Sequence, residues 1–212
     1  MAKVVLISCE TYDNPAVEQA VRRGLQFLGG IEQFVQPGKK ILLKPNLLFG
    51  DRPEKCVNTH PAVFRAVASS FLEAGAEVVY GDHPGYGAPA AAAKRAGLSE
   101  VAEDIGIELA DFRSPVEVPV QGFPLLDMVP IAQGVFDDAV VVSLPKLKAH
   151  GFQKYTGCVK NQFGCIPGLT KAAFHVRFPD ANDFAKMLLE VNRIVSPRLY
   201  IMDGIRGMEG NG

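Results

Sequence analysis

The chain has 212 residues, enough for one sizeable α/β domain. Its residues are 48 % apolar, which suits a buried core, and 22 basic residues nearly cancel 23 acidic ones, leaving a formal charge of -1. That balance, with 8 % aromatics and no tryptophan, argues against a nucleic-acid coat or a membrane-surface protein, and no apolar run approaches a bilayer span.

The start, MAKVVLISCE, runs directly into an apolar stretch without the long apolar region and cleavage site of a signal peptide, so a cytoplasmic protein is expected. Lys3 to Ser8 reads as a first strand, rich in β-branched residues. Pro15 opens a helix with Val17, Val21, Leu25 and Leu28 on one face, and Gly29-Gly30 stops it. After a QPGKK turn, Ile41 to Lys44 reads as a strand ended by Pro45. Thr59 ahead of Pro61 signals the next helix, whose apolar stripe is Val63, Val67, Phe71 and Ala74. Glu77 to Asp82 is a strand. Ala88 to Glu103 is a helix interrupted near Gly97, and Ile107 to Phe112 is another strand.

The prolines between Ser114 and Gly134 predict edge strands or a hairpin. DDAVVVSLPK is almost continuously apolar in its middle, as for a strand covered on both faces. YTGCVKNQFG reads as a short helix or turn. A helix spans about Asn182 to Val195, Arg198 to Gly204 is the last strand, and DGIRGMEGNG is a Gly-rich terminal loop. This alternation predicts one α/β domain over 1–212: a mainly parallel open sheet flanked by helices, with a Pro-rich hairpin or edge-strand insertion.

Open parallel sheets bind ligands at the carboxyl ends of their strands. Sorted by that rule, Lys44 and Asn46, Asp82 and His83, Ser143 with Lys146, Lys148 and His150, and Asp203 with Arg206 and Glu209 fall on one rim. Lysine there acts as a movable point charge for phosphate or carboxylate, so a small anionic ligand is expected. Lys160 and Asn161 could together donate to an oxyanion, whereas Lys154 reads as a solvated surface lysine. GDHPGYG lacks the spacing of either nucleotide-binding glycine motif.

His83 with Asp82, and His150 across the rim, form an acid–base pair or a metal site in this reading, although no metal-ligand spacing supports the second. The metal candidates are His83, His150, Asp203 and Glu209, for a divalent ion. None of the four cysteines forms a C-x-x-C pair, so free thiols in a reducing compartment are expected. Cys158 lies among the lysines, and a nearby cation lowers a thiol pKa.

The segments LLKPNLL, NTHPAVFRAV, LPKLKAHGFQKYTGCVKNQFGCIPG with the lysine and FH that follow it, and IMDGIRGMEGNG resemble the domain-of-unknown-function 362 family over nearly the whole chain. Many members look like fusions to a ferredoxin module with two four-iron clusters, so the resemblance implies redox work. The cluster-binding cysteine pattern is absent here, which leaves iron–sulfur clusters to a fused or partner module. Members usually continue past the GNG, so the chain resembles a family core lacking its C-terminal part. Carrying the motifs over marks Lys44, Asn46, Thr59, Lys146, Lys148, His150, Lys160, Asn161, His175, Asp203 and Glu209 as functional candidates.

The expected function is an enzyme or enzyme subunit acting on a small anion in iron–sulfur-linked redox metabolism. Lys146, Lys148 and Lys160 would hold the anion, with His150 for acid–base work and Asp203 or Glu209 orienting it or binding a metal. Chemistry like that of nickel-dependent lactate racemases is an alternative within the enzyme class, on a loose likeness of architecture. The non-catalytic alternative is a binding or scaffold module that docks to a ferredoxin-type partner.

Overall fold

The computed structural model describes residues 3–35, 40–137 and 139–210. Most of the expected QPGKK turn and the last two residues of the Gly-rich terminus lie outside them.

Pro15 occupies the first turn of α1 (Asn14–Phe27), which buries Val17, Val21 and Leu25. Gly29 and Gly30 follow at φ 106° and 96°, a conformation open to glycine and closed to most other residues. Next come β1 (Lys40–Pro45), α2 (Pro61–Glu73), β2 (Val78–Tyr80), α3 (Pro89–Arg95), α4 (Leu98–Ile105) and β3 (Glu108–Leu109). The break between α3 and α4 falls at Gly97, whose φ is 74°. An antiparallel hairpin of β4 (Pro115–Pro119) and β5 (Met128–Ala132) precedes β6 (Ala139–Leu144), β7 (Lys146–His150) and β8 (Lys154–Thr156). The chain continues through α5 (Cys158–Asn161), α6 (Thr170–Arg177), α7 (Ala181–Val195), β9 (Leu199–Tyr200) and β10 (Asp203–Met208).

The main sheet among the described residues has the order β3-β2-β1-β6-β9, and each neighbouring pair is parallel. Successive residues of β1 face opposite layers: Ile41 and Leu43 pack with α1 to α4, while Leu42 packs with the hairpin, α6 and α7. Both faces are therefore covered, which explains the unbroken apolar reading of β1 and β6. The chain leaves β1 towards β2 and β3 and returns to β6 on the other side of β1, so the strand order reverses between β1 and β6. A ligand crevice belongs at that reversal, outside the carboxyl ends of the strands.

Four expectations need correction. Lys3 to Ser8 is not a strand: it pairs with no neighbour among the described residues, and Val4 and Leu6 are 84 % and 93 % exposed. β-Branched composition sets what a strand can pack against, but pairing needs a partner edge supplied by the fold. The run expected to end at Lys146 is two strands, because the chain passes at Pro145 from the main sheet into a second one, β10-β7-β8. The terminal Gly-rich loop is largely β10, which pairs in parallel with β7 and carries a register irregularity between Asp203 and Met208. At α2 the cap is His60, whose side chain accepts from Ala62 N, while Thr59 turns inward and donates to Leu144 O at 2.5 Å.

Candidate functional site

Lys44 comes at the end of β1, opposite Ser143 of β6, and its side chain is 0 % exposed. Burying that ammonium demands a counter-charge. Asp82, just past β2, supplies one: its Oδ1 lies 2.7 Å from Lys44 Nζ, and its Oδ2 accepts from Leu47 N at 2.7 Å. The ammonium also donates to Pro45 O at 3.1 Å and to Asn161 Oδ1 at 3.2 Å. Asn161 Nδ2 donates to Lys44 O and to Ser143 Oγ, which fixes the orientation of that amide. Its Oδ1 must then be the acceptor that meets Asn46 Nδ2 at 3.0 Å. Asn46 is held from below, where its N donates to Thr59 Oγ1. Gly164 closes this knot. A Cβ there would collide with Asp82 Oδ1 and Lys44 Nζ.

Above the knot lies a cavity of about 410 Å³, within the range of small-ligand sites. Its polar wall is cationic or hydrogen-bond donating: Lys44, Lys148, Lys160, Lys171, His83, His150 and His175 all line it. Lys146, Lys148 and His150 share one face of β7 by the two-residue repeat of a strand. Lys148 Nζ donates to Val57 O at 2.9 Å. Burial, then the neighbouring Lys160, lowers Lys148 to about 8. Lys160 is likewise brought to about 8, by burial and then by Lys44. Burial, then Lys160, His175 and Lys148, pushes His150 down to about 4. His150 Nδ1 accepts from Phe152 N and Gln153 N, so this neutral ring carries its proton on Nε2.

Lys171 reaches the wall from α6. Gly168 N donates to His83 Nε2 at 3.1 Å, so His83 bears its proton on Nδ1. That Nδ1 is 2.8 Å from Lys171 Nζ, which also contacts His83 O at 3.0 Å and Ile166 O at 2.8 Å. That Nδ1–H has Pro84 O as an acceptor at 2.9 Å, while Lys171 donates to the two carbonyls. Burial lowers Lys171 to about 8.

Of the residues singled out in the sequence, Lys44, Asn46, His83, Lys148, His150, Lys160, Asn161 and His175 meet at this cavity. Lys146, Asp203 and Thr59 do not line it. Lys146 Nζ is 2.9 Å from Asp203 Oδ2 and donates to Tyr12 OH at 2.8 Å; Tyr12 OH donates to Asp203 Oδ1 at 2.8 Å. His60 N donates to Asp203 Oδ2, and the His60 ring stacks on Tyr12 with centroids 3.6 Å apart. This second cluster fastens the segment before α1 to the carboxyl end of the sheet. Glu209 is exposed, as is Lys154.

The metal candidates are not gathered into one place, and among the described residues no three His, Cys, Asp or Glu side chains are arranged to hold an ion. Cys158, expected to be activated by lysines, is instead pushed up by burial. The residue that sequence reasoning passed over is Lys171. It stands four positions before His175, so both project from one face of α6, and that spacing was the available signal. Tyr12 carried no such signal, because its partners lie 134 and 191 residues away.

Residues 41–212 match the family model described as Domain of unknown function (DUF362). The chain belongs to this family. Within DUF362 the match takes in every residue that lines the cavity. The chain is also 38 % identical over 211 residues to the Thylakoid-associated protein sll1697 of Synechocystis sp. (strain ATCC 27184 / PCC 6803 / Kazusa). That similarity covers 99 % of this chain and 65 % of the relative, so the chain spans less than two thirds of its length. No helix among the described residues is long and apolar enough to cross a membrane.

Proposed function

We propose that this DUF362 chain binds a small phosphate- or carboxylate-bearing anion at the strand-order reversal, as an enzyme or enzyme subunit. One observation carries the reading. Four lysines and three histidines line the cavity, and its one lining carboxylate, Asp82, is already committed to Lys44 and to Leu47 N. The wall's remaining acceptors, such as Asn46 Oδ1 and Thr156 Oγ1, are uncharged, so a cationic wall without a free carboxylate is complementary to an anion. Lys148 and Lys160 supply the charge. His150, held neutral, offers Nε2–H as an uncharged donor instead of cycling a proton near neutral pH.

Iron–sulfur-linked redox work enters this proposal from the family resemblance and rests on it alone. A cytoplasmic setting is supported by four unpaired thiols. The thylakoid association belongs to the Synechocystis relative by its name, and no residue of this cavity is assigned to it.

Calorimetry and thermal shift with inorganic phosphate, sulfate, acetate and oxalate test the reading. At least one of these anions should raise the melting temperature by mass action. Lys148→Met and Lys160→Met should each weaken its binding by ~10- to 100-fold, the loss of one charged hydrogen bond. A flat response of the folded wild type to every anion at millimolar concentration would remove the proposal.

A further inference from the structure

The cavity lysines differ in what holds them. Lys44 has Asp82 and three oxygen acceptors, Lys148 has Val57 O, and Lys171 has two carbonyls and the His83 ring. Lys160 Nζ has no hydrogen-bond or ion-pair partner among the described residues; it lies over the Phe163 ring, 5.6 Å from the centroid. It sits in a partly buried position on the short helix α5, with Lys44, Lys148, His150 and His175 as its charged or titratable neighbours. Those neighbours are cationic or neutral, and Asp82 is spent on Lys44. Apart from the face of the Phe163 ring, nothing on this wall stabilises a positive charge at Lys160. A lysine kept from water beside other cations is the one that gives up its proton and becomes a nucleophile.

Resting on the anion-binding reading and deepening it, we propose that Lys160 is a carbonyl-reactive amine, and that the ligand class is a small carboxylate bearing an adjacent aldehyde or ketone. Lys148 Nζ holds the carboxylate and His150 Nε2–H meets the carbonyl oxygen, while Lys160, a holder of the anion when protonated, attacks in the fraction of molecules in which it has lost its proton. The Lys160 nitrogen lone pair attacks the carbonyl carbon, forming the C–N bond, and the C=O π pair moves onto oxygen. In all the nitrogen gives up its two protons, one before and one after water leaves, and the oxygen takes up two. The C–O bond breaks with departure of water, and C=N forms. Amine and carbonyl become imine and water, with no oxidant or reductant required. Once protonated, the imine is an electron sink for chemistry at the carbon beside it. In this arrangement Lys171 is a poorer nucleophile, since its nitrogen is held by His83 O and Ile166 O and lies against the His83 ring.

Trapping tests this directly. The full chain is incubated with pyruvate or glyoxylate and sodium cyanoborohydride, and the adduct is located by peptide mass mapping. Acetate and propionate, which lack the carbonyl, serve as binding controls in calorimetry. A single adduct on Lys160, absent in Lys160→Arg and forming faster as pH rises through about 8 instead of near 10.5, is the expected result. Mapping on the wild type alone decides the matter if the variant fails to fold. Adducts scattered over exposed lysines, or none at Lys160 while the carboxylates bind, would overturn this inference and leave the anion reading standing. Absence of both binding and adduct would take down the two together.

Discussion

Lys148, Lys160 and Lys171 are lysines whose charge is penalised by the fold, and that penalty has a direction that can be measured. Each titrates at about 8 in the folded chain against 10.5 ordinarily, so each binds fewer protons folded than unfolded between those values. Below about pH 8 the ammonium is present in both states and its burial cost is borne in full. As pH rises the folded state sheds that cost first, so stability climbs. The buried Cys165 thiol, pushed up to about 12 from 9, acts oppositely above pH 9. The urea midpoint in anion-free buffer should therefore rise between pH 8 and 9, and Lys148→Met should flatten that rise. Affinity for a bound anion should move the other way and fall across the same interval, because the two ammonium groups proposed to hold it discharge. Calorimetry at pH 7 and pH 9 reads that fall, and a binding constant independent of pH would contradict the assignment of Lys148 and Lys160 as its holders.

At the scale of elements, the turn after α5 positions the site through the smallness of one residue. Gly164 packs directly against the Lys44–Asp82 pair, and its carbonyl accepts from His83 N at 2.9 Å. A methyl group would have to displace backbone or break the ion pair. Losing one partner of a buried pair costs about 3–5 kcal/mol, and overpacking alone about 1–3 kcal/mol. Gly164→Ala should accordingly lower stability by ~1–5 kcal/mol in urea titration and weaken anion binding with it. An unchanged midpoint would show that the knot relaxes freely. The elements around it were well forecast by pattern: α1, α2 and α7 follow their apolar stripes, and the prolines between Ser114 and Gly134 mark the hairpin. Lys3 to Ser8 was misread because its apolar content is a local property, whereas a strand is completed by another segment. DDAVVVSLPK was likewise read as one strand, but Pro145 within it is the hinge between two sheets.

For the whole molecule, the Tyr12–Lys146–Asp203 cluster is the link between the first described segment and the last strand. Both carboxylate oxygens of Asp203 are satisfied by groups from other parts of the chain: Tyr12, Lys146 and His60 N. Burial, and then Asp203, hold the Tyr12 phenol well above its ordinary 10.0, so it stays a donor at any ordinary pH. Tyr12→Phe removes that donor and should cost ~1–3 kcal/mol, the price of an unmet buried acceptor. It should also speed proteolytic cleavage between residues 3 and 12 while leaving the cavity lysines in place. Cleavage at the wild-type rate would mean that α1 alone holds the segment.

From the amino-acid order alone, the class of fold and the end of the sheet where the lysines and histidines gather were legible, because helix and strand periodicities are local and parallel strands place their carboxyl ends together. The order of residues could not say how the rim would be divided. Lys146 and Lys148 stand two apart on one strand face, yet one is spent on Asp203 behind the rim and the other opens onto the cavity. Lys44, which a rim location marks as a ligand group, has its charge taken by Asp82 from the neighbouring strand. Which lysine keeps a partner, which has its charge penalised by burial and which is left without an acceptor are decided by contacts between segments distant in sequence, 57 residues for Lys146 with Asp203 and 91 for Lys148 with Val57. Only the tertiary structure sets those contacts, since desolvation and pairing depend on distance in space and not on distance along the chain.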